Sequence, residues 1–344
     1  MSLEQSTVGR TRVCLAGGRA EPVVPAEQLV AAISADDVER FRPLLPVGYR
    51  AGVEAYRRSV AELTVRDLSE HYRGGVDFFH DEFVPHLKRT LVELSGGEWN
   101  LDDFTAYAAG SDVDLITHII DRVAGDGVAG NGVAGGTPVR LFPGDWYGFL
   151  VGSSRPAAIA WDAEGTGGLA CLCVPSVRNG QLTDEMLDSL RRADDRLLNV
   201  NLFPTLSALD RRQAARDLAP LLDRSILSIS FSRGFGLTAS QLGVILVHRD
   251  HPLRRRYEKQ WEWFTYFYNA LAARAFMLID LAELQRVDNE RRREVHTWLA
   301  EHGLPVVESG TYYVKSFRST DLPEYFGPLV RDGVVRLCFK PTSN

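Results

Sequence analysis

The chain has few cysteines and no pattern typical of a metal site. Its 344 residues include only four cysteines, which are too few and too scattered for a disulfide framework. Cys171 and Cys173 alternate along an apparent strand and share one face, a spacing that favours packing over metal binding. No set of cysteines and histidines has zinc-like spacing, so we expect no metal.

Long apolar runs and basic clusters are also missing. No stretch reaches the roughly 20 apolar residues that a membrane helix needs, and the first dozen residues lack the apolar core of a signal peptide. The formal net charge is -6, which gives no broad attraction to nucleic acid or anionic lipid. We therefore expect a cytoplasmic protein that acts on a small molecule, with neither nucleic acid nor membrane as a partner.

What the chain does contain is an alternation of short apolar runs and longer helical stretches. Such an alternation predicts βαβ units and a parallel sheet. The strand candidates are residues 169–174, 197–203, 225–230 and 242–248. We expect an N-terminal arm and small-domain segment at 1–60, a large α/β domain at 61–250, and an interdomain helix with a small α/β C-terminal domain at 251–344.

Two segments depart from this alternation. Residues 125–138, GDGVAGNGVAGGTP, have little that could pack and predict a surface loop without chemistry of its own. Residues 261–268 contain six aromatic side chains within a predicted long helix, a density more typical of a core or a subunit interface than of a ligand site.

Six short motifs follow one another in a specific order. Residues 106–120 read AYAAGSDVDLITHII, 144–150 read GDWYGFL, and 228–247 read SISFSRGFGLTASQLGVILV. Between them lie LACLCVPSVRNGQLT and LLNVNLFPTL, and GVVRLCF follows near the C-terminus. Together they resemble the class I/II, fold-type I pyridoxal-phosphate aminotransferases from about residue 52 to 339. The resemblance implies a mainly parallel large-domain sheet flanked by helices, a smaller α/β domain, and a homodimer.

The resemblance also implies a role for several residues. Gly110, Ser111 and Asp112 match the turn and helix N-terminus that hold the cofactor phosphate, although Asp112 could instead cap the helix and repel an anion. Trp146 and Tyr147 match the aromatic group over the pyridine ring, and core packing is the alternative. Arg336 matches the arginine that clamps the substrate carboxylate; a surface ion pair is the alternative, and we expect a buried anion site.

Other positions depart from the family pattern. Arg233, after Ser232, replaces the cofactor lysine and has no free amine for a Schiff base. Asn201 replaces the aspartate that pairs with the ring nitrogen. The remaining departures are Val177 and Pro204, in place of partners of the phenolic oxygen, and Gln241, in place of a phosphate-binding arginine. We therefore expect a degenerate site that binds no cofactor. Arg233 would be either a structural ion pair or a second anion donor.

A helical segment at residues 60–94 is longer than the family normally has there. It contains His80, Asp81 and Glu82, a triplet that could suggest a metal or acid–base site. Because adjacent residues on a helix point in different directions, a solvated helix face is the preferred interpretation.

Two functions of different class remain. The first is a cofactor-independent enzyme of bacterial specialised metabolism that acts on an amino-acid-like, carboxylate-bearing molecule, with Arg233 and Asn201 as catalytic candidates. The second is a non-catalytic amino-acid-binding or structural partner protein. A relative that uses pyridoxamine phosphate is a third and less favoured possibility. A titratable group in a perturbed environment beside Arg336 would favour the enzyme.

Overall fold

A computed structural model describes residues 50–65, 74–125, 137–146, 149, 153–154, 158–237, 240–255, 258, 269–322, 327 and 334–339. Three predictions fall wholly or mostly outside these residues: the role of Tyr147, the surface loop at 125–138, and the packing of the aromatic segment 261–268.

Seven strands form the central sheet in the order β1-β7-β6-β5-β4-β2-β3. Their bounds are β1 Phe104–Ala109, β2 Val139–Leu141, β3 Ile159–Trp161, β4 Leu169–Cys173, β5 Asp195–Asn199, β6 Ser225–Ser230 and β7 Gly243–His248. Only β7 is antiparallel to its neighbours, β1 and β6, and the other pairs are parallel. The predicted parallel sheet is confirmed.

Strand β5 is shorter than the sequence predicts. We expected a strand at 197–203, but β5 ends at Asn199 and a 3-10 turn follows at Phe203–Thr205. Pro204 has no N–H to donate to a strand ladder. The N–H of Phe203 donates to the carbonyl of Val200 at 3.1 Å, which closes a turn. The chain therefore leaves the sheet after Asn199, and Asn201 lies in the turn that follows.

Helices cover the sheet and connect its strands. They are α1 Arg50–Glu62, α2 Gly74–Asp77, α3 Val84–Leu94, α4 Asp112–Gly125, α5 Asp184–Arg191, α6 Ala208–Leu218, α7 Ala270–Met277 and α8 Leu281–Glu301. The four helices α5 to α8 each begin at a polar residue whose side chain accepts a hydrogen bond from the first turn. A π-helical turn at Phe78–Phe83 joins α2 to α3.

The sheet separates two apolar cores. Alternate residues of each strand face opposite cores, as Leu197 and Leu198 of β5 do. Helix α4 packs its apolar face on one side, with Ile116 and Ile119 fully buried. Helices α3, α6 and α7 pack on the other side, where Phe276 contacts Phe83 of the π-helical turn and Phe231 and Phe235 of the turn after β6. Burial on both faces explains the continuous apolar runs of the strands.

A smaller α/β unit completes the described fold. Strands β8 (Val314–Arg318) and β9 (Val334–Cys338) pair antiparallel, and α8 packs on them through Val295 and Leu299. The mainly parallel large sheet with a smaller C-terminal α/β unit agrees with the predicted fold class. The boundaries 60/61 and 250/251 stay predictions.

The triplet in the long helical segment does not form a metal site. His80, Asp81 and Glu82 lie exposed in the π-helical turn. Within the described ranges, no three His, Cys, Asp or Glu side chains come together as metal ligands would. In the same part of the chain, no helix combines the length and apolar character required to cross a bilayer.

Candidate active site

The candidate site lies at the sheet edge where the parallel strands end. Strands β1, β2, β4, β5 and β6 all lead into it, and the antiparallel strand β7 begins there. The register places Ala109 and Ser230 on either side of Gly243, and Cys173, Asn199 and Ser228 in one row across the neighbouring strands. Open α/β sheets commonly bind ligands at this edge.

A cleft of about 170 Å³ opens at this edge. Six residues that the sequence analysis selected line it: Asp112, Trp146, Val177, Asn201, Ser232 and Arg233. Gly110 and Ser111 form the turn that leads into α4, and Arg336 lies at the rim. Gln241 is exposed and is not among the lining residues. The structure therefore brings most of the predicted residues together, although their roles stay predictions.

A buried carboxylate forms the floor of the cleft. Asp112, the first residue of α4, is 5% exposed, and its Oδ2 accepts hydrogen bonds from Asn201 Nδ2 at 2.7 Å and from Asn199 Nδ2 and Ser228 Oγ at 3.4 Å. Burial raises the pKa of Asp112, and these hydrogen bonds oppose that shift. Ser111 Oγ accepts from the Asp114 N–H at 3.1 Å and caps the helix.

Gly243 allows this close approach between helix and strand. A Cβ atom at position 243 would lie 1.8 Å from the backbone nitrogen of Asp112. The start of α4 is therefore pressed directly against the start of β7. The glycine that matches the family motif thus has a packing reason that is independent of any ligand.

Both the nitrogen and the oxygen of the Asn201 side-chain amide form hydrogen bonds within the protein. Its Nδ2 donates to Asp112, and its Oδ1 accepts a short hydrogen bond from the backbone N–H of Ser230. The amide therefore ties the turn after β5 to α4 and to the end of β6. Its proposed catalytic role stays a prediction, but a substrate would have to compete with these bonds.

Arg233 lies exposed in the turn after β6. Gly234 packs so tightly on the backbone oxygen of Asn201 that a Cβ would lie 2.5 Å away, and Tyr313 Oη donates to the carbonyl of Arg233 at 3.3 Å. No carboxylate of the described residues pairs with its guanidinium. The hydroxyls of Ser230 and Ser232 lie 3.0 Å apart at the same side of the cleft. A guanidinium and two hydroxyl groups on the same side of a cleft are suited to binding an anion.

Arg336 reaches the opposite rim from strand β9. Its Nη1 donates to the carbonyl of Val177 at 3.2 Å and to that of Gly144 at 3.5 Å. Across the described part of the chain no carboxylate forms an ion pair with it. We expected a buried anion site, but Arg336 is exposed, because it points away from the core into which its neighbours Val335 and Leu337 pack.

Trp146 lies between the core and the cleft, and its role over a cofactor ring stays a prediction. It lines the cleft, and its ring also packs edge-on against Phe149 with 5.2 Å between centroids. The indole is half-buried, so one part of it belongs to the core and another faces the cleft.

Sequence reasoning missed Asp145, which adjoins Trp146. The carboxylate is buried and accepts from Cys173 N at 2.7 Å, Ser176 Oγ at 2.8 Å and Val177 N at 3.0 Å. Burial raises its pKa to about 6, and the three donors oppose the shift. An aspartate between a glycine and a tryptophan was the available signal, but it does not reveal which backbone groups converge on it.

Comparisons with known proteins give relationships of fold. No protein-family model and no curated protein sequence matches the chain. Among solved structures it is similar to a methionine aminotransferase from Escherichia coli, at 12% identity, 98% and 96% coverage of the two chains and a TM-score of 0.60. It is also similar to an aromatic-amino-acid aminotransferase from Burkholderia pseudomallei covalently bound to pyridoxal phosphate, at 15% identity, 93% coverage of both chains and a TM-score of 0.55.

These neighbours correct one expectation. A third, histidinol-phosphate aminotransferase from Sinorhizobium meliloti in complex with pyridoxal 5'-phosphate, has 15% identity, 87% and 82% coverage and a TM-score of 0.50. The expectation of no cofactor was wrong, because the fold points to pyridoxal phosphate rather than to none. The departures at Arg233, Asn201, Val177, Pro204 and Gln241 led us to it. That position 233 replaces the cofactor lysine stays a prediction.

The residues of the cleft fit a phosphorylated pyridine that is held without a covalent bond. Arg233, Ser230 and Ser232 offer a cation and two hydroxyls for a phosphate, and the half-buried indole of Trp146 offers an aromatic face for a ring. Covalent attachment at position 233 is excluded, since a guanidinium has no free amine. In sheet order, strand direction and overall similarity, the chain has the fold of the class I/II, fold-type I pyridoxal-phosphate aminotransferases.

Proposed function

We propose that the cleft binds an amino-acid-like, carboxylate-bearing small molecule beside a phosphorylated pyridine cofactor that is held reversibly. The observation that carries this proposal is the guanidinium of Arg336, which lies at the rim with only backbone carbonyls as partners among the described residues. Those two bonds use Nη1 alone, so the rest of the planar fork is left for a bidentate carboxylate.

Arg233 has a separate role in this proposal. With Ser230 and Ser232 it binds the phosphate, while Trp146 orients the ring and excludes water from one side. When bound, such a cofactor supplies an electron-withdrawing ring. The third possibility of the sequence analysis, a relative that uses pyridoxamine phosphate, therefore becomes the preferred one, because that cofactor form does not require a lysine.

A carboxyl group in the cleft favours an enzyme over a simple binder. Asp112 is the one carboxyl side chain among the described lining residues, and burial raises its pKa. A carboxyl group whose pKa is raised in a cleft is a candidate acid–base group. Within this proposal, the enzyme belongs to bacterial specialised metabolism. The alternative, a non-catalytic amino-acid-binding or structural partner protein, is favoured by the engagement of the Asn201 amide within the protein.

The test combines binding with product analysis. The purified protein is titrated with pyridoxal phosphate and pyridoxamine phosphate, and each mixture is then screened by thermal shift against amino acids and keto acids. We expect a saturable shift with a cofactor form, a further shift with a carboxylate compound, and a product detected by mass spectrometry. Binding without product supports the non-catalytic alternative, whereas no shift with any carboxylate compound contradicts the Arg336 clamp.

We also propose a homodimer. The segment 261–268 contains six aromatic residues, a composition typical of subunit interfaces. Light scattering at micromolar concentration tests this, and a monomer would contradict it.

A further inference from the structure

Asp145 does not line the cleft, but its side chain holds a turn at the rim of the cleft. Its buried carboxylate receives three hydrogen bonds. One comes from the backbone N–H of Cys173 at the end of β4, and two come from the turn that follows, from the backbone N–H of Val177 and the hydroxyl of Ser176. A carboxylate that accepts three donors at 2.7 to 3.0 Å holds their positions relative to one another.

The same turn anchors the proposed substrate arginine. Val177 accepts a hydrogen bond from Arg336 through its carbonyl and donates to Asp145 through its N–H. The second acceptor of Arg336 is the carbonyl of Gly144, which directly precedes Asp145 in the chain. Both carbonyls that receive the guanidinium are therefore positioned by Asp145, one through a hydrogen bond and one through the covalent chain.

Neighbouring contacts leave this turn little freedom on its other side. Ser316 lies opposite Arg336 in the β8–β9 ladder, and its hydroxyl donates to the carbonyl of Arg178 at 2.6 Å. A Cβ at Gly180 would lie 2.2 Å from the carbonyl oxygen of Val314. The turn is thus held between the small sheet and Asp145, so a change at Asp145 is transmitted to the end of Arg336.

We propose that Asp145 is the positioning residue that fixes the guanidinium of Arg336 for a bound carboxylate. This inference rests on the proposed function of Arg336 and deepens it. Asp145 does not touch the ligand; it acts by holding the carbonyls of Val177 and Gly144. Loss of its carboxylate therefore weakens carboxylate binding only while Arg336 is present.

A double-mutant cycle tests this role. The variants are Asp145→Asn, Arg336→Lys and their combination, each titrated calorimetrically with L-aspartate, L-methionine and L-phenylalanine in the presence of pyridoxamine phosphate. Phenethylamine, which lacks the carboxylate of phenylalanine, is the matched probe. We expect each single variant to weaken binding of the amino acids by about tenfold or more, and the double variant to bind no more weakly than Arg336→Lys alone.

Two further variants separate positioning from stability. Asp288→Asn alters another buried carboxyl, which accepts from Tyr312 and does not line the cleft, and should leave amino-acid affinity unchanged whatever its effect on the melting temperature. Ser176→Ala removes one donor to Asp145 and should weaken binding severalfold with little loss of stability. If Asp145→Asn does not fold, Ser176→Ala tests the positioning role in its place.

The outcomes distinguish the inference from the proposed function. If Arg336→Lys loses affinity but Asp145→Asn or Ser176→Ala does not, the positioning role is overturned and the clamp stands. Additive losses in the double variant also overturn it, because they show independent effects. If the wild type binds none of the three amino acids, both the clamp and the positioning role fail. Equal loss for phenethylamine and phenylalanine shows a general defect of the cleft and likewise overturns the inference.

Discussion

Asn201 and Asp112 are joined by a hydrogen bond of 2.7 Å that links the turn after β5 to the first residue of α4. The family resemblance predicts that Asn201 replaces a residue that binds the cofactor. In the structure, the Asn201 side chain donates a hydrogen bond to a buried carboxylate. The amide is suited to this position because it donates to Asp112 and accepts from Ser230 at the same time.

Asn201→Asp should therefore destabilise the protein, even though it restores the residue type of the family. It would place two carboxylates within hydrogen-bonding distance, which raises the pKa of one of them and favours a shared proton. We expect a loss of about 1–3 kcal/mol at neutral pH, and a smaller loss in acid. Urea unfolding at both pH values measures it. Asn179→Asp is the control, since Asn179 only accepts, from the N–H of Gln181; equal effects would refute this account.

Arg336→Lys tests the carboxylate clamp. A lysine keeps the charge but lacks the planar fork, so affinity for a carboxylate ligand should fall at least tenfold, or about 1.4 kcal/mol, with the melting temperature nearly unchanged. Calorimetry and thermal unfolding on the same sample check both quantities. Arg318→Lys, at an exposed position of the neighbouring strand β8, is the matched control. A lower melting temperature with intact affinity would instead indicate a structural arginine.

Arg233→Lys tests whether position 233 corresponds to the cofactor lysine. In the wild type, reduction with borohydride in the presence of pyridoxal phosphate should leave the peptide around residue 233 unmodified, because a guanidinium offers no amine. In the variant, the new amine should become covalently labelled, which peptide mass spectrometry detects. Labelling of another lysine in both proteins would contradict the assignment of the position.

Stability should depend on pH through two buried carboxyls. Burial raises the pKa values of Asp145 and Asp288 to about 6, above the ordinary value near 4. The folded state then binds these protons more tightly than the unfolded state, so these two groups stabilise it most below about pH 4. Their contribution falls as the pH rises to about 6 and is constant above it. Urea unfolding across this range should show the slope, and Asp145→Asn and Asp288→Asn should each reduce it.

Gly243→Ala should be among the most damaging small substitutions. The new Cβ would meet the backbone of Asp112 at 1.8 Å, and since both groups belong to packed elements the expected cost is about 3 kcal/mol or more. Gly110→Ala is the control, because nothing lies within 4 Å of a Cβ there. Chemical denaturation compares the two variants. If they prove equally stable, the close contact between α4 and β7 is not as described.

The residue pattern along the chain was enough to predict the class of fold and the edge of the sheet at which the cleft lies. Apolar runs separated by helical segments specify a parallel sheet, and parallel strands bring their carboxyl ends to one edge. Motifs that follow successive strands, such as those containing Asp112 and Arg233, must therefore meet. The absence of an amine at position 233 also follows from residue identity alone.

The pairing of polar groups, in contrast, depends on contacts between segments that are distant in the chain. Asp145 is separated from Cys173 by 28 positions and Asp112 from Asn201 by 89, so no local pattern could reveal these contacts. The same holds for Arg336, whose carbonyl partners come from two turns of the large sheet. Hydrogen bonds between distant segments depend on strand register and on close approaches such as that at Gly243, and these are set by the packing of the whole chain.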